Sequence, residues 1–145
     1  FNDLKNDRQK NVDFDWASVL NFEGDSGPYL QYVVVRCKSI ERKLGEPIRL
    51  EMPKPLDSVE EQNLILAILS FDETLSAAYR NFKPNILATY LLDLSHAFNV
   101  FYHHHKVLQE TDLDLRQGRL ALCKATQMVL EKGLAILGIR SPDQM

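Results

Sequence analysis

The residues of this chain that could do chemistry are a run of histidines, a pair of cysteines and an aromatic–arginine series. His103, His104 and His105 stand in a row, with His96 upstream. A helical metal pair needs ligands at i and i+4, whereas adjacent helical residues point about 100° apart. The positions four away from His105 are Phe101 and Gln109. His96 and His103 share a face but lie about 10 Å apart along a helix axis. The spacing therefore assigns no metal. Cys37 and Cys123 are too few and too distant for a disulfide framework or a zinc box, and both read as reduced packing residues. Nothing local activates either thiol, no glycine-rich phosphate loop is present, and the carboxylates fall on faces that read as solvated. This reading assigns no catalytic residue and no cofactor site.

The third constellation points to binding. Tyr29, Tyr32 and Arg36 are spaced by three and four residues, which puts them on one side of a helix. Two rings and a guanidinium suit a single-stranded RNA loop, because bases stack on rings and arginine meets phosphate. An ordinary half-buried helix flank has the same spacing, so both readings stand on the residues alone. Around this series Arg36, Lys38, Arg42 and Lys43 face only Glu41 in sequence, a local basic run in a chain of formal net charge −3.

These side chains must be positioned by helices. Leu30, Val33, Cys37, Ile40 and Leu44 keep helical spacing up to Gly45, which predicts a helix over 28–44 with Ser26 or Asp25 as cap and Pro28 in its first turn. Residues 46–57, rich in proline, read as a connector. Ser58 with Glu61, or Asp57 with Glu60, forms a capping box before a helix through Leu64 and Leu69. Ser70–Glu73 repeats the signal before a short helix over 72–82. The spine is a helix from Pro84 to Leu108, whose stripe runs Leu87, Tyr90, Leu91, Leu94, Ala97, Phe98, Phe101, His105, Leu108. A last helix spans 113–137, with Leu122, Thr126, Val129, Leu130, Gly133 and Leu137 on one face; Gly133 reads either as a close helix–helix approach or as a tolerated helical glycine.

At 145 residues and 45% hydrophobic, the chain supports one domain with a real core. It has no run of 18 apolar residues to span a membrane and no secretory signal at its start. The missing initiator Met points to a piece of something longer. Residues 1–21 read as the tail of a preceding unit, with Phe14, Trp16, Val19, Leu20 and Phe22 as an apolar hook, and 22–145 as the domain proper.

The run FDWASVLNFEGDSGPYLQY, with Asp3–Arg8 upstream, resembles the junction in arginyl-tRNA synthetases where the catalytic body passes into the C-terminal helical domain. YLLDLSHAFNVFYHHHKVL and RLALCKATQMVLEKGLAILGI resemble the last two long helices of that family, and SPDQM its proline-containing tail. Ser26 stands where members usually have Thr, and Gln144 where they have Arg. The resemblance implies an all-α DALR-type anticodon-binding bundle of about five helices. It implies that Tyr29, Tyr32, Arg36, Tyr102 and Met145 approach anticodon bases, with Lys106 one turn beyond Tyr102 on the phosphate side. Arginine tRNA and the protein's own catalytic domain are the implied partners, with a monomer in the cytoplasm or, alternatively, the mitochondrion. The family's ATP-binding histidine signature and lysine loop are not in this chain, so ATP and magnesium belong to the full-length enzyme and this piece alone should be inactive. The rival is a protein-docking module with Tyr29, Tyr32 and Tyr102 as interface anchors.

Overall fold

The computed structural model describes residues 1–7, 15–21, 24–45, 48 and 54–145. The helices in chain order are α1 (Asn2–Lys5), α2 (Trp16–Val19), α3 (Gly27–Leu44), α4 (Val59–Leu69), α5 (Phe71–Asn81), α6 (Pro84–His104) and α7 (Leu113–Ile136), with a 3-10 turn at Val107–Gln109. No strand occurs among the described residues. Among the described residues, five longer helices and two single turns make an all-α bundle, as the periodicity requires.

Local chemistry sets the boundaries. Ser26 has extended backbone and its Oγ accepts the Tyr29 N–H at 3.1 Å, while Gly45 closes α3 at φ 70°, a conformation that suits glycine. The capping box at Ser58 and Glu61 is present on α4. Ser70 departs from expectation: its hydroxyl donates back to the Ala67 carbonyl at 2.9 Å and caps nothing. α4 and α5 meet at this one residue, so the hydroxyl finds the nearer carbonyl first.

α6 is the spine, about 31 Å long. Leu87, Tyr90, Leu91, Leu94, Phe98 and Phe101 are buried, and so are Ala88, Leu92 and Ser95. The buried face is wider than a single stripe because α3, α4, α5 and α7 all pack against α6. The helix ends at His104, four residues short of the expected Leu108. His105 is extended (φ −117°, ψ 117°), its Nε2 lies 3.0 Å from Ser58 Oγ, and Val107 is buried at 1% exposure. Burying Val107 requires the chain to turn out of the helix.

α7 packs along α3 and α6 through Leu122, Thr126, Leu130 and Gly133. A Cβ on Gly133 would stand 2.5 Å from Leu91 Cδ2, so this glycine does mark a close approach. A buried ion network ties α4 to α7: Glu61, 1% exposed, accepts from Arg119 Nε at 2.7 Å, and Arg119 Nη1 donates to Glu110 at 2.6 Å. Burial works to raise the Glu61 carboxyl, but the Arg119 and Ser58 hydrogen bonds outweigh it and hold it below the usual carboxylate range.

The apolar hook does not form as expected. Trp16 and Leu20 are 69% and 56% exposed, because α2 is a single turn at the surface, too short to bury either side chain. Phe14 and Phe22 lie outside the described residues, as does most of the 46–57 connector. α1 packs on α6, Asp7 pairs with Lys83 at 2.9 Å, and Lys5 donates to the Asp25 carbonyl at 2.6 Å. Part of the expected tail is therefore seated on the bundle.

Candidate nucleic-acid interface

Three separated stretches of chain meet at the C-terminal half of α3. That helix presents Tyr32, Arg36, Ser39 and Lys43, α6 contributes Tyr102, and the tail after α7 brings in Gln144 and Met145. Together they border a cleft of about 390 Å³. The Arg36 guanidinium lies 4.7 Å from the Tyr32 ring centre and 5.5 Å from that of Tyr102, within cation–π range of both. Its Nη2 donates to the Tyr32 hydroxyl at 2.8 Å, and its Nη1 to Asn99 Oδ1 at 3.0 Å. The Tyr102 ring stacks on Phe98 at 5.8 Å with an 18° interplanar angle. Tyr32 is 38% exposed, so part of it is open to solvent at the cleft.

Tyr29 is placed differently from the expectation. It is 6% exposed, tilted against the His96 ring at 5.4 Å, and its hydroxyl accepts from Asn99 Nδ2 at 2.8 Å. Burial, opposed by the Asn99 hydrogen bond, pushes its phenol above the ordinary value. At the first turn of α3 its ring lies beneath α6, so it supports the cleft from behind and offers no stacking face. Lys106 also shifts. With α6 ended at His104 it is not one helical turn beyond Tyr102, but stands exposed in an adjoining hollow of about 350 Å³ with Lys43, Gln109 and the other edge of Tyr102.

The tail is fastened to α3. Gln31 Nε2 donates to the Arg140 carbonyl at 2.6 Å, Arg42 Nη1 to the Asp143 carbonyl at 3.0 Å, and Lys38 Nζ pairs with Asp143 at 2.7 Å and Glu131 at 2.8 Å. Lys38 holds the Asp143 carboxyl below its ordinary value. Lys38 is thereby spent on the tail, and Glu41 is taken by Lys124 at 2.7 Å. Of the basic run, Arg36, Arg42 and Lys43 remain to border the cleft, and no Asp or Glu side chain among the described residues lines it. An anion fits this basic lining.

The histidine run does not converge. His105 is held against Phe101 at 5.3 Å and beside Ser58, His104 Nδ1 is 3.8 Å from Glu60, and His103 is exposed. No group of three or more potential ligands that could hold a metal ion occurs among the described residues. Both cysteines are buried and free. Burial drives the Cys37 thiol well above its usual value and that of Cys123 to about 12, which leaves neither available as a thiolate. Asn99 and the Lys38–Asp143 fastening escape a reading of the sequence. Asn99 lies three residues before Tyr102 on α6, and only the crossing of α3 over α6 gives it a partner on each side.

The family model described as the DALR anticodon binding domain matches residues 30–145. The chain belongs to that family. The DALR domain is similar in structure to Thermus thermophilus arginyl-tRNA synthetase, with a TM-score of 0.88 at 36% identity over 99% of this chain and 25% of that one. It is similar to the Plasmodium falciparum arginyl-tRNA synthetase at a TM-score of 0.84 and 30% identity, again over 99% of this chain and 25% of the other. Its sequence is 39% identical over 145 residues to an arginine–tRNA ligase of Streptococcus thermophilus, covering all of this chain and 25% of that protein. An Ignicoccus hospitalis arginine–tRNA ligase is 42% identical over 137 residues, 94% of this chain and 22% of its own length. The DALR domain thus spans about a quarter of the curated relatives it matches. No helix among its described residues is long and apolar enough to cross a membrane.

Proposed function

We propose that this DALR domain is the anticodon-binding module of an arginyl-tRNA synthetase, and that it positions arginine tRNA for a catalytic domain outside this chain. The observation that carries the proposal is the meeting of Tyr32, Arg36, Tyr102 and Met145 around one cleft bordered by basic side chains, from three separate parts of the chain. Exposed rings give a base a surface to stack on, and a cleft bordered by Arg36, Arg42 and Lys43 attracts the sugar–phosphate backbone. Lys106, in the neighbouring hollow, extends the positive border past Tyr102. Met145 closes the far side with a flexible thioether, which adapts to a ring or a base. Tyr29 acts behind the cleft. ATP, magnesium and arginine would be bound by the catalytic domain, and the module would act as a monomer in the cytoplasm.

Burial of Tyr29 removes it as a contact in this reading and in the protein-docking alternative alike. Salt separates the two. Affinity for a fluorescent arginine-tRNA anticodon stem-loop, measured by anisotropy over a series of salt concentrations, should fall steeply. The slope should be about −0.7 for each phosphate contact. An affinity indifferent to salt, or no binding at micromolar protein, would contradict the proposal.

A further inference from the structure

We infer that Asn99 is a specificity-positioning residue: it fixes the direction of the Arg36 guanidinium in the cleft, and with it which middle anticodon base is accepted. The inference rests on the anticodon-binding reading above. A guanidinium can only donate hydrogen bonds, whereas an asparagine amide has one end that donates and one that accepts. Arg36 Nη1 lies 3.0 Å from the Asn99 side chain, so the amide oxygen must face Arg36. The amide nitrogen then faces the other way, onto the Tyr29 hydroxyl at 2.8 Å, which is left to accept. Each group settles the orientation of the next. The far end of the chain of bonds is rigid, because Tyr29 is 6% exposed, wedged against His96 and held in the Ser26-capped first turn of α3.

The second arm of the guanidinium is held too, by the Tyr32 hydroxyl at 2.8 Å. Two of its five N–H donors are therefore occupied by protein, and three point in fixed directions. A swinging arginine satisfies any phosphate, which every RNA provides equally. A pinned one presents an oriented set of donors. Cytosine offers two adjacent acceptors, O2 and N3, on its pairing edge; uracil keeps O2 but replaces the N3 acceptor with an N–H donor. Fixed donors fit the first and oppose the second. Pinning thus turns a general attraction into a base preference, and Asn99 is the pin that lies outside the cleft lining.

The test is the ratio of affinities for two anticodon stem-loops, one with C and one with U in the middle position, measured by anisotropy. Asn99→Leu keeps the bulk but releases the Nη1 arm, so that the guanidinium can pivot about its remaining Tyr32 bond, and should bring the wild-type preference to within about threefold of none, since one oriented pair carries most of such discrimination. Asn99→Asp keeps the shape and still accepts from Arg36, with the Tyr29 hydroxyl now donating. It should weaken both loops through its added negative charge while keeping the preference. Tyr29→Phe removes the far acceptor and should lower the preference part of the way. A purely structural role would lower the melting temperature of these variants and leave the ratio alone. A folded Asn99→Leu protein with the full wild-type preference overturns the inference, as does an Asn99→Asp protein that loses it. If Asn99→Leu does not fold, Tyr29→Phe with an unchanged ratio overturns it. A wild-type protein that binds both loops equally sinks the anticodon reading itself, which is a distinct result.

Discussion

Tyr102 stacks on Phe98 on one side and borders both hollows with its exposed edge, so it has a double role. Loss of one base-stacking ring is worth about 1–3 kcal/mol, so Tyr102→Ala should weaken stem-loop binding by about 5- to 150-fold. It should also cost about 0.5–1.5 kcal/mol of stability, because Phe98 loses an aromatic partner; chemical denaturation checks this. Removing Ser141–Met145 detaches a segment that touches α3 through Lys38 and Arg42. These are exposed contacts, so the melting temperature should barely move while affinity falls. Equal affinity of the shortened and intact proteins would take Met145 out of the interface. Tyr32, Arg36, Tyr102 and Met145 were legible as a group from aromatic spacing and family likeness. Tyr29 was not, because whether a residue at the rim of a helix face is covered depends on where the next helix crosses it. No periodicity encodes that crossing.

Among the elements, helix existence followed from the apolar spacing, and several ends from capping chemistry at Ser26, Gly45 and Ser58. The end of α6 did not, because burial of Val107 overrode a continuing helical pattern. Leu94 on α6 is fully buried, so Leu94→Ala should cost about 2–5 kcal/mol in a urea titration. Gly133→Ala pushes a methyl toward Leu91 at the α6–α7 contact. Overpacking costs about 1–3 kcal/mol, offset by up to about 1 kcal/mol of helix propensity, so a net loss is expected. The Glu61–Arg119 pair joins α4 to α7 inside the bundle. Arg119→Met strands a buried carboxylate and should cost about 3–5 kcal/mol, most of it recovered in the Glu61→Gln/Arg119→Met double variant. Because the folded Glu61 carboxyl is held below its unfolded value, its contribution is complete above the ordinary carboxylate range. It is lost as pH falls through the lower folded value. The acid limb of a stability–pH curve should therefore flatten in the double variant; an unchanged limb would show that other carboxylates control acid unfolding.

On the scale of the whole molecule, the net charge of −3 is a poor guide to what the surface does. Lys38, Lys54, Lys83 and Lys124 are consumed in internal pairs, while Arg36, Arg42, Lys43 and Lys106 line two adjoining hollows. The sequence shows the basic run, but which cations are cancelled depends on contacts such as that of Lys38 with Asp143, 105 positions away. The chain matches about a quarter of its relatives' length. By itself it should support no arginine-dependent ATP–pyrophosphate exchange above background, and exchange in a preparation free of other synthetase would refute that. Every arginine codon has G in the middle, so every arginine anticodon has C there, and a module serving all of them must read that base. The most direct measurement is a paired anisotropy titration of the wild-type protein with arginine-tRNA anticodon stem-loops carrying C or U at that position. The account predicts tighter binding of the C loop by about 5- to 150-fold, the worth of one well-oriented base contact. Equal affinities would contradict it.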